Sequence, residues 1–243
     1  MQEPQKVRIN KLLSQAGVAS RREAEKLIHA GSVILNGKTV TEPGQTMLPG
    51  TDHLTVEGRK IRFHQAPKTK VYALYKPRNC ITSLNDPEGR RTVKDFFPRD
   101  AGRLFPVGRL DYDAEGLLLL TNDGRFSRWL SDADSGVIKR YRVTLRDPVT
   151  ADMVTAFAKG MHFGFEDIVT RPARLTPLAS DGTHQADVAL SEGRYHQIKR
   201  MFGRFNNEVL ALHRYAIGPF ELDDALVPGQ SKAVAPQLPA QWS

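Results

Sequence analysis

Three acids fall within five positions of one polar segment, Gly108-Arg109-Leu110-Asp111-Tyr112-Asp113-Ala114-Glu115-Gly116, just before the apolar run Leu117 to Leu120 and the turn Asn122-Asp123-Gly124. A carboxylate on a loop between two core segments can shuttle a proton, attack an electron-poor carbon or stabilise a neighbouring positive charge. Turn and capping acids look the same in sequence. Spacing alone therefore makes Asp111 a candidate and leaves Asp113 beside it as a possible second carboxylate of a glycosidase-like pair. A basic partner for such a carboxylate is offered by Glu192-Gly193-Arg194-Tyr195-His196-Gln197-Ile198-Lys199-Arg200-Met201-Phe202. There Ile198, Met201, Phe202 and Phe205 share one helical face, and His196, Lys199 and Arg200 fall on the opposite one. A cation keeps a buried carboxylate ionised, although the same pattern describes an ordinary amphipathic helix with a solvated basic face. Tyr141, between Lys139-Arg140 and Arg142-Val143, reads on spacing as half-buried strand packing.

Other chemistries have no support in the residue pattern. The seven histidines show no metal-ligand spacing. The single cysteine, Cys80, excludes an intrachain disulfide and argues against a cysteine-ligated zinc site. There is no phosphate-binding Gly-x-x-x-x-Gly-Lys-Ser/Thr loop and no Gly-x-Gly-x-x-Gly. No cofactor and no metal are expected.

The elements that must position these residues follow from periodicity and punctuation. Ile9, Leu12, Leu13 and Ala16 have helical spacing and stop at Gly17; Ser20-Arg21-Arg22-Glu23 is a capping box opening a second helix, whose apolar face is Ala24, Leu27 and Ile28. Val33-Ile34-Leu35, the hairpin turn Asn36-Gly37, the return Lys38-Thr39-Val40 and a short strand at Leu54-Thr55-Val56 complete an N-terminal unit. Further on, strands are expected at Val71 to Tyr75, Leu117 to Leu120, Tyr141 to Leu145 and Asp187 to Leu190, and helices near Phe126–Ser131, Ala151–Lys159 and His196–Phe205. This mixture predicts an α+β protein on a mainly antiparallel sheet. The expected organisation is a small domain over 6–64, a linker over 65–70, a larger domain over 71–235 and a loosely held tail over 236–243.

The 243 residues carry 35 Lys and Arg against 27 Asp and Glu, a net charge of +8. The first 68 residues hold 11 Lys and Arg against 6 Asp and Glu, a net of +5, and the rest only +3. A short basic module points to a polyanion partner. Arg21 and Arg22, with Lys26 and Lys38 nearby, sit where a helix start offers a phosphate site. The longest strongly apolar run is four residues, and the N-terminus lacks the apolar stretch of a secretory signal. A cytoplasmic, monomeric protein without a membrane partner is expected.

The segment from Arg8-Ile9-Asn10-Lys11-Leu12-Leu13 through Ser20-Arg21-Arg22-Glu23-Ala24 to Val33-Ile34-Leu35-Asn36-Gly37 resembles an S4 RNA-binding domain. Gly108-Arg109-Leu110-Asp111, followed by Gly116-Leu117-Leu118-Leu119-Leu120-Thr121-Asn122-Asp123-Gly124, resembles the central motif of pseudouridine synthases, within them the RsuA type, which carries an N-terminal S4 domain and acts on ribosomal RNA. The resemblance implies that Asp111 is the essential carboxylate, that Tyr141 stacks on the target base, that Lys199 contacts Asp111, and that Lys76-Pro77 is a structural motif. It gives Asp113 and Glu115 no role. A flipped uridine is expected, with Arg109, Arg194, His196 and Arg200 contacting RNA beside the four basic residues of the first module. The stretch from Ser191 to Phe202 together with Leu212-His213-Arg214 is similar to members acting on 16S rRNA, which makes a small-subunit assembly intermediate the expected partner. Large-subunit RNA and a non-catalytic RNA-binding assembly factor are the alternatives.

Overall fold

The structure, a computed structural model, describes residues 6–62, 68–179 and 182–239. Parts of the expected linker (65–67) and tail (240–243), and the end of the expected first domain (63–64), lie outside these residues. The chain divides into two compact units, one running to Thr69 and the other from Lys70 onward.

In the first unit, helices Ile9–Gln15 and Arg21–His29 pack beside a four-stranded antiparallel sheet, ordered Lys38–Thr39, Val33–Leu35, Leu54–Val56, Arg59–Ile61. The capping box forms as its residue types require: Glu23 N donates to Ser20 Oγ at 3.1 Å, and Ser20 N to Glu23 Oε2 at 2.6 Å. Ile9, Leu13, Ala24, Ile28, Val33 and Leu54 form a separate core.

The second unit is built on a nine-stranded sheet. Its strands are β1 (Val71–Lys76), β2 (Phe105–Pro106), β3 (Glu115–Thr121), β4 (Lys139–Leu145), β5 (Arg174–Leu178), β6 (His184–Leu190), β7 (Val209–Ile217), β8 (Phe220–Glu221) and β9 (Ser231–Val234). The order is β5-β6-β4-β7-β3-β1-β9, with β2 on β3 and β8 on β7. The pairing of β7 with β3 is parallel and the others are antiparallel. The fold is thus α+β on a mixed, largely antiparallel sheet.

Helix α1 (Gly124–Ser131) starts where Asp123 Oδ1 accepts from Arg125 N at 2.8 Å, so the Asn-Asp-Gly turn doubles as a cap. It sends Phe126 and Leu130 onto one face of the sheet against Leu117, Leu119 and Phe220. Helices α2 (Ala151–Lys159) and α3 (Gln197–Gly203) cover the other face, where Met153, Phe157, Ile198, Met201 and Phe202 meet Leu118, Leu120, Val143 and Val188. A strand covered on both faces must be apolar at nearly every position. This explains the unbroken run Leu117 to Leu120, all fully buried.

Candidate active site

A cavity of about 350 Å³ opens at the ends of β4, β6 and β7 and is walled by the loop before β3 and the loop before α3. Asp111, Tyr141, Lys139, Arg214, His196 and Lys199 all line it.

The loop carrying Asp111 is held from three sides. Leu110, buried, exchanges two bonds with Thr82, whose Oγ1 donates to Leu110 O at 2.7 Å and accepts from Leu110 N at 3.2 Å. Lys76, fully buried at the end of β1, donates from Nζ to Ala114 O at 2.8 Å and to Pro77 O at 3.0 Å. Arg214 on β7 donates from NH1 to Arg109 O at 3.2 Å and from Nε to Leu117 O at 2.9 Å. With these carbonyls engaged, the backbone on both sides of Asp111 is fixed. Its carboxylate stays about a quarter exposed at the cavity wall. Burial pushes the Lys76 ammonium down to about 8, against the opposing pull of Cys80, Asp111 and Asp113.

The partner of Asp111 differs from the expected one. Lys199 is in direct contact with Asp113, and the imidazole of His196 lies beside Asp111, with Nε2 3.6 Å from Oδ1. The arrangement has a local cause. His196 takes a left-handed backbone conformation (φ 47°) and serves as the N-cap of α3, so the helix starts one residue later than its apolar period predicts. That turn brings the imidazole to Asp111 while Lys199, one helical turn on, reaches Asp113. Burial pushes the Asp113 carboxyl up, but the hydrogen bond and charge of Lys199 outweigh this and hold it below the ordinary carboxylate range.

The strained turn is braced by Glu192, a buried acid that accepts from Arg171 N at 2.8 Å, Arg194 Nε at 2.9 Å and Gln197 Nε2 at 2.7 Å. Tyr195 is exposed and stacks on His196, ring centroids 3.8 Å apart. Arg109 and Arg194 are exposed residues of the cavity mouth. Arg200 lies elsewhere: its guanidinium forms two hydrogen bonds with Glu166, at 2.7 and 2.6 Å, over the ring of Phe163. Arg21, Arg22, Lys26 and Lys38 are exposed on the first unit.

Tyr141 is 7% exposed and lies on the sheet face of the cavity, with the Arg214 guanidinium 5.9 Å from its ring centre. Sequence reasoning misses Lys139, Arg214, Lys76 and Glu192 as site residues, all of them buried. For Lys139 a signal exists: it shares the two-residue period of Tyr141, Val143 and Leu145, the inward positions of β4. Among the described residues no group of three or more His, Cys, Asp or Glu is arranged to hold a metal ion.

Known proteins share this arrangement of sequence and fold. Residues 70–203 match the family model of RNA pseudouridylate synthase, and residues 7–52 match the S4 domain. The chain is 42% identical to the ribosomal small subunit pseudouridine synthase A of Pseudomonas aeruginosa, over 92% of this chain and 94% of that protein. It is 38% identical to the ribosomal large subunit pseudouridine synthase B of Bacillus subtilis, over 85% and 84%. A crystal structure of a pseudouridylate synthase superposes with a TM-score of 0.67 at 33% identity, covering 94% of this chain and 96% of that one.

Proposed function

The chain belongs to the RNA pseudouridylate synthase family and is an isomerase with an S4 domain, and from that premise we propose that it converts one uridine of 16S ribosomal RNA to pseudouridine with Asp111 as the catalytic carboxylate. The observation that carries the reading is the clamped Asp111 at the wall of a cavity sized for one nucleoside, with Tyr141 on its sheet side. The reaction breaks the N1–C1′ bond of uridine, whose electron pair leaves with the uracil. Asp111 meets the electron-poor C1′, as nucleophile or as the counter-charge of an oxocarbenium ion. The ring then turns, C5 bonds to C1′, the C5 proton departs and N1 takes up a proton. The sum is redox-neutral and consumes nothing, so no cofactor is required.

For the base to reach Asp111 it must leave its stack. Tyr141 offers a face for it, an interaction worth ~1–3 kcal/mol per base, and Arg109, Arg194 and His196 take the displaced backbone at the mouth. Lys199 acts on the loop through Asp113. The small-subunit reading rests on the Tyr195-His196 stretch and on the relative from Pseudomonas aeruginosa; the Bacillus subtilis relative keeps 23S RNA as the second reading. The enzyme works as a cytoplasmic monomer on a small-subunit assembly intermediate, a step of ribosome biogenesis.

The test is incubation of 16S and 23S transcripts and of immature 30S particles with wild type and Asp111→Asn, with pseudouridine mapped by chemical adduct and primer extension. Wild type is expected to modify one 16S position, and Asp111→Asn to lose at least roughly 1,000-fold in rate, the scale for removing a covalent or charge-stabilising group. Equal modification by the variant removes Asp111 from the chemistry. Modification of 23S RNA alone moves the substrate to the large subunit.

A further inference from the structure

We propose that Lys139 and Arg214 form a paired cationic subsite on the floor of the Asp111 cavity, which holds a carbonyl oxygen of the target uracil and carries the negative charge that collects on the ring while it is detached from C1′. The proposal rests on the isomerase reading above and assigns two further catalytic residues to it.

The sheet register brings the two residues together. Tyr141 pairs with Val188 and with Arg214, and Lys139 pairs with Leu190 and Ile217. Between Arg140 and Tyr141 the register against β7 slips, leaving Tyr215 without a counterpart. This bulge lets Lys139, Tyr141 and Arg214 face the same cavity.

Both cations are buried, Lys139 at 6% and Arg214 at 4% exposure. Lys139 Nζ and Arg214 NH2 have no hydrogen-bond partner among the described residues. A buried charge without an acceptor is costly and native structures rarely retain one. Built-in acceptors are already in use. Of the two acids whose charge acts on Lys139, Glu192 is engaged by Arg171, Arg194 and Gln197, and Asp132 accepts from Asp134 N at 3.0 Å. Two nitrogens of Arg214 are fixed on Leu117 O and Arg109 O, which leaves NH2 held in one direction. Burial and the charge of Arg214 both push the Lys139 ammonium down, so an electron-rich ligand relieves the pair.

The chemistry of the walls chooses the ligand. The cavity floor beside the cations is the Tyr141 ring with Leu190, Ile198 and Leu212, a surface for a flat base. Phosphate oxygens meet exposed Arg109 and Arg194 at the mouth instead. When the N1–C1′ bond breaks heterolytically, its electron pair delocalises over N1, O2 and O4 of the uracil. Donors placed at a carbonyl oxygen beforehand lower the barrier to that separation without reorganising. They act again while the ring turns to present C5, because the charge stays on the ring until the new bond forms.

The test compares full-length wild type, Lys139→Met, Lys139→Arg and Arg214→Lys on the RNA that wild type modifies. Lys139→Met is expected to lose on the order of 100-fold in kcat, the scale of one preorganised donor, with RNA affinity within about twofold because phosphate contacts dominate binding. Lys139→Arg recovers part of the rate, and Arg214→Lys loses rate and melting temperature together, because Arg214 also clamps the Asp111 loop through Leu117 O and Arg109 O. Sulfur replaces O2 or O4 of the target uridine, one at a time. One replacement is expected to slow wild type and to have no further effect on Lys139→Met, an outcome that a purely structural lysine does not produce. Unchanged kcat in Lys139→Met, a loss confined to RNA affinity, or indifference to both sulfur substitutions overturns the proposal. Binding of uridine 5′-monophosphate, followed by NMR, separates the two readings. If wild type forms no pseudouridine, the isomerase reading fails, and weaker nucleotide binding by Lys139→Met still supports the subsite. If Lys139→Met binds the nucleotide as wild type does, the subsite fails.

Discussion

At the scale of the residue, the site depends on buried charges whose placement costs stability. Lys76 is the clearest case: it is fully buried, its ammonium is pushed from 10.5 to about 8, and its two acceptors are the main-chain carbonyls of Pro77 and Ala114. In the unfolded chain the same lysine keeps its ordinary value. Between pH 8 and about 10.5 the unfolded state therefore binds more protons than the folded one, and stability rises with pH. Below pH 8 both states are protonated and the contribution is flat. Against Lys76→Met, which lacks the titration, wild type is expected to gain roughly 3 kcal/mol across that window, because one proton bound only by the unfolded chain is worth about 1.4 kcal/mol for every tenfold fall in proton concentration. Urea denaturation of both proteins at pH 7.5, 9 and 10.5 measures the difference. A constant gap across the series would falsify the depressed titration of Lys76.

At the scale of the element, the crossing of β3 and β7 is where the fold fixes the chemistry. Their parallel register sets Gly116 against Arg214 and Glu115 against His213. A Cβ on Gly116 would lie 2.2 Å from the main-chain oxygen of Arg214, and φ here is +106°. Both demand glycine. Gly116→Ala is expected to cost roughly 3 kcal/mol or more, from strain and overpacking together. It should also lower turnover by moving Arg214 and, through Arg109, the Asp111 loop. Thermal melting and single-turnover rates check this; a variant with wild-type melting and activity shows that the strands tolerate the side chain. The same elements mark what the sequence reveals. The alternation of β4 and the four leucines of β3 are plain periodic signals, and the helix Ala151–Lys159 has the bounds its pattern predicts. Strand β7 is not legible in the same way, because His213, Arg214 and Tyr215 interrupt its apolar residues and a bulge shifts its period. Among the described residues β5, which contains Pro177, and β9 are the edges of the sheet, and both are largely exposed, so they carry little apolar signal. The Lys199–Asp113 pairing is hidden for a different reason: it follows from the left-handed turn at His196, which no periodicity encodes.

At the scale of the whole molecule, the chain has two units, each with its own core, the first matching the S4 domain and the second the RNA pseudouridylate synthase model. The first unit holds a large share of the net charge in few residues, and its second helix opens with two exposed arginines after the Ser20 cap. If those arginines neutralise RNA phosphates, their effect must appear in the dependence of affinity on salt, since each neutralised phosphate releases counterions. Arg21→Glu combined with Arg22→Glu is expected to weaken RNA binding and to flatten the plot of log Kd against log salt by roughly 1.5–2 in slope, the sum of two contacts. Melting should stay close to wild type, because neither side chain enters the core of that unit. Filter binding at stepped potassium chloride concentrations measures the slope. An unchanged slope with weaker binding means that the arginines act locally on the helix start. An unchanged slope with unchanged affinity removes them from the interface. The same double variant separates recruitment from catalysis: at saturating RNA its kcat should equal that of wild type, because Asp111, Tyr141, Lys139 and Arg214 all belong to the second unit.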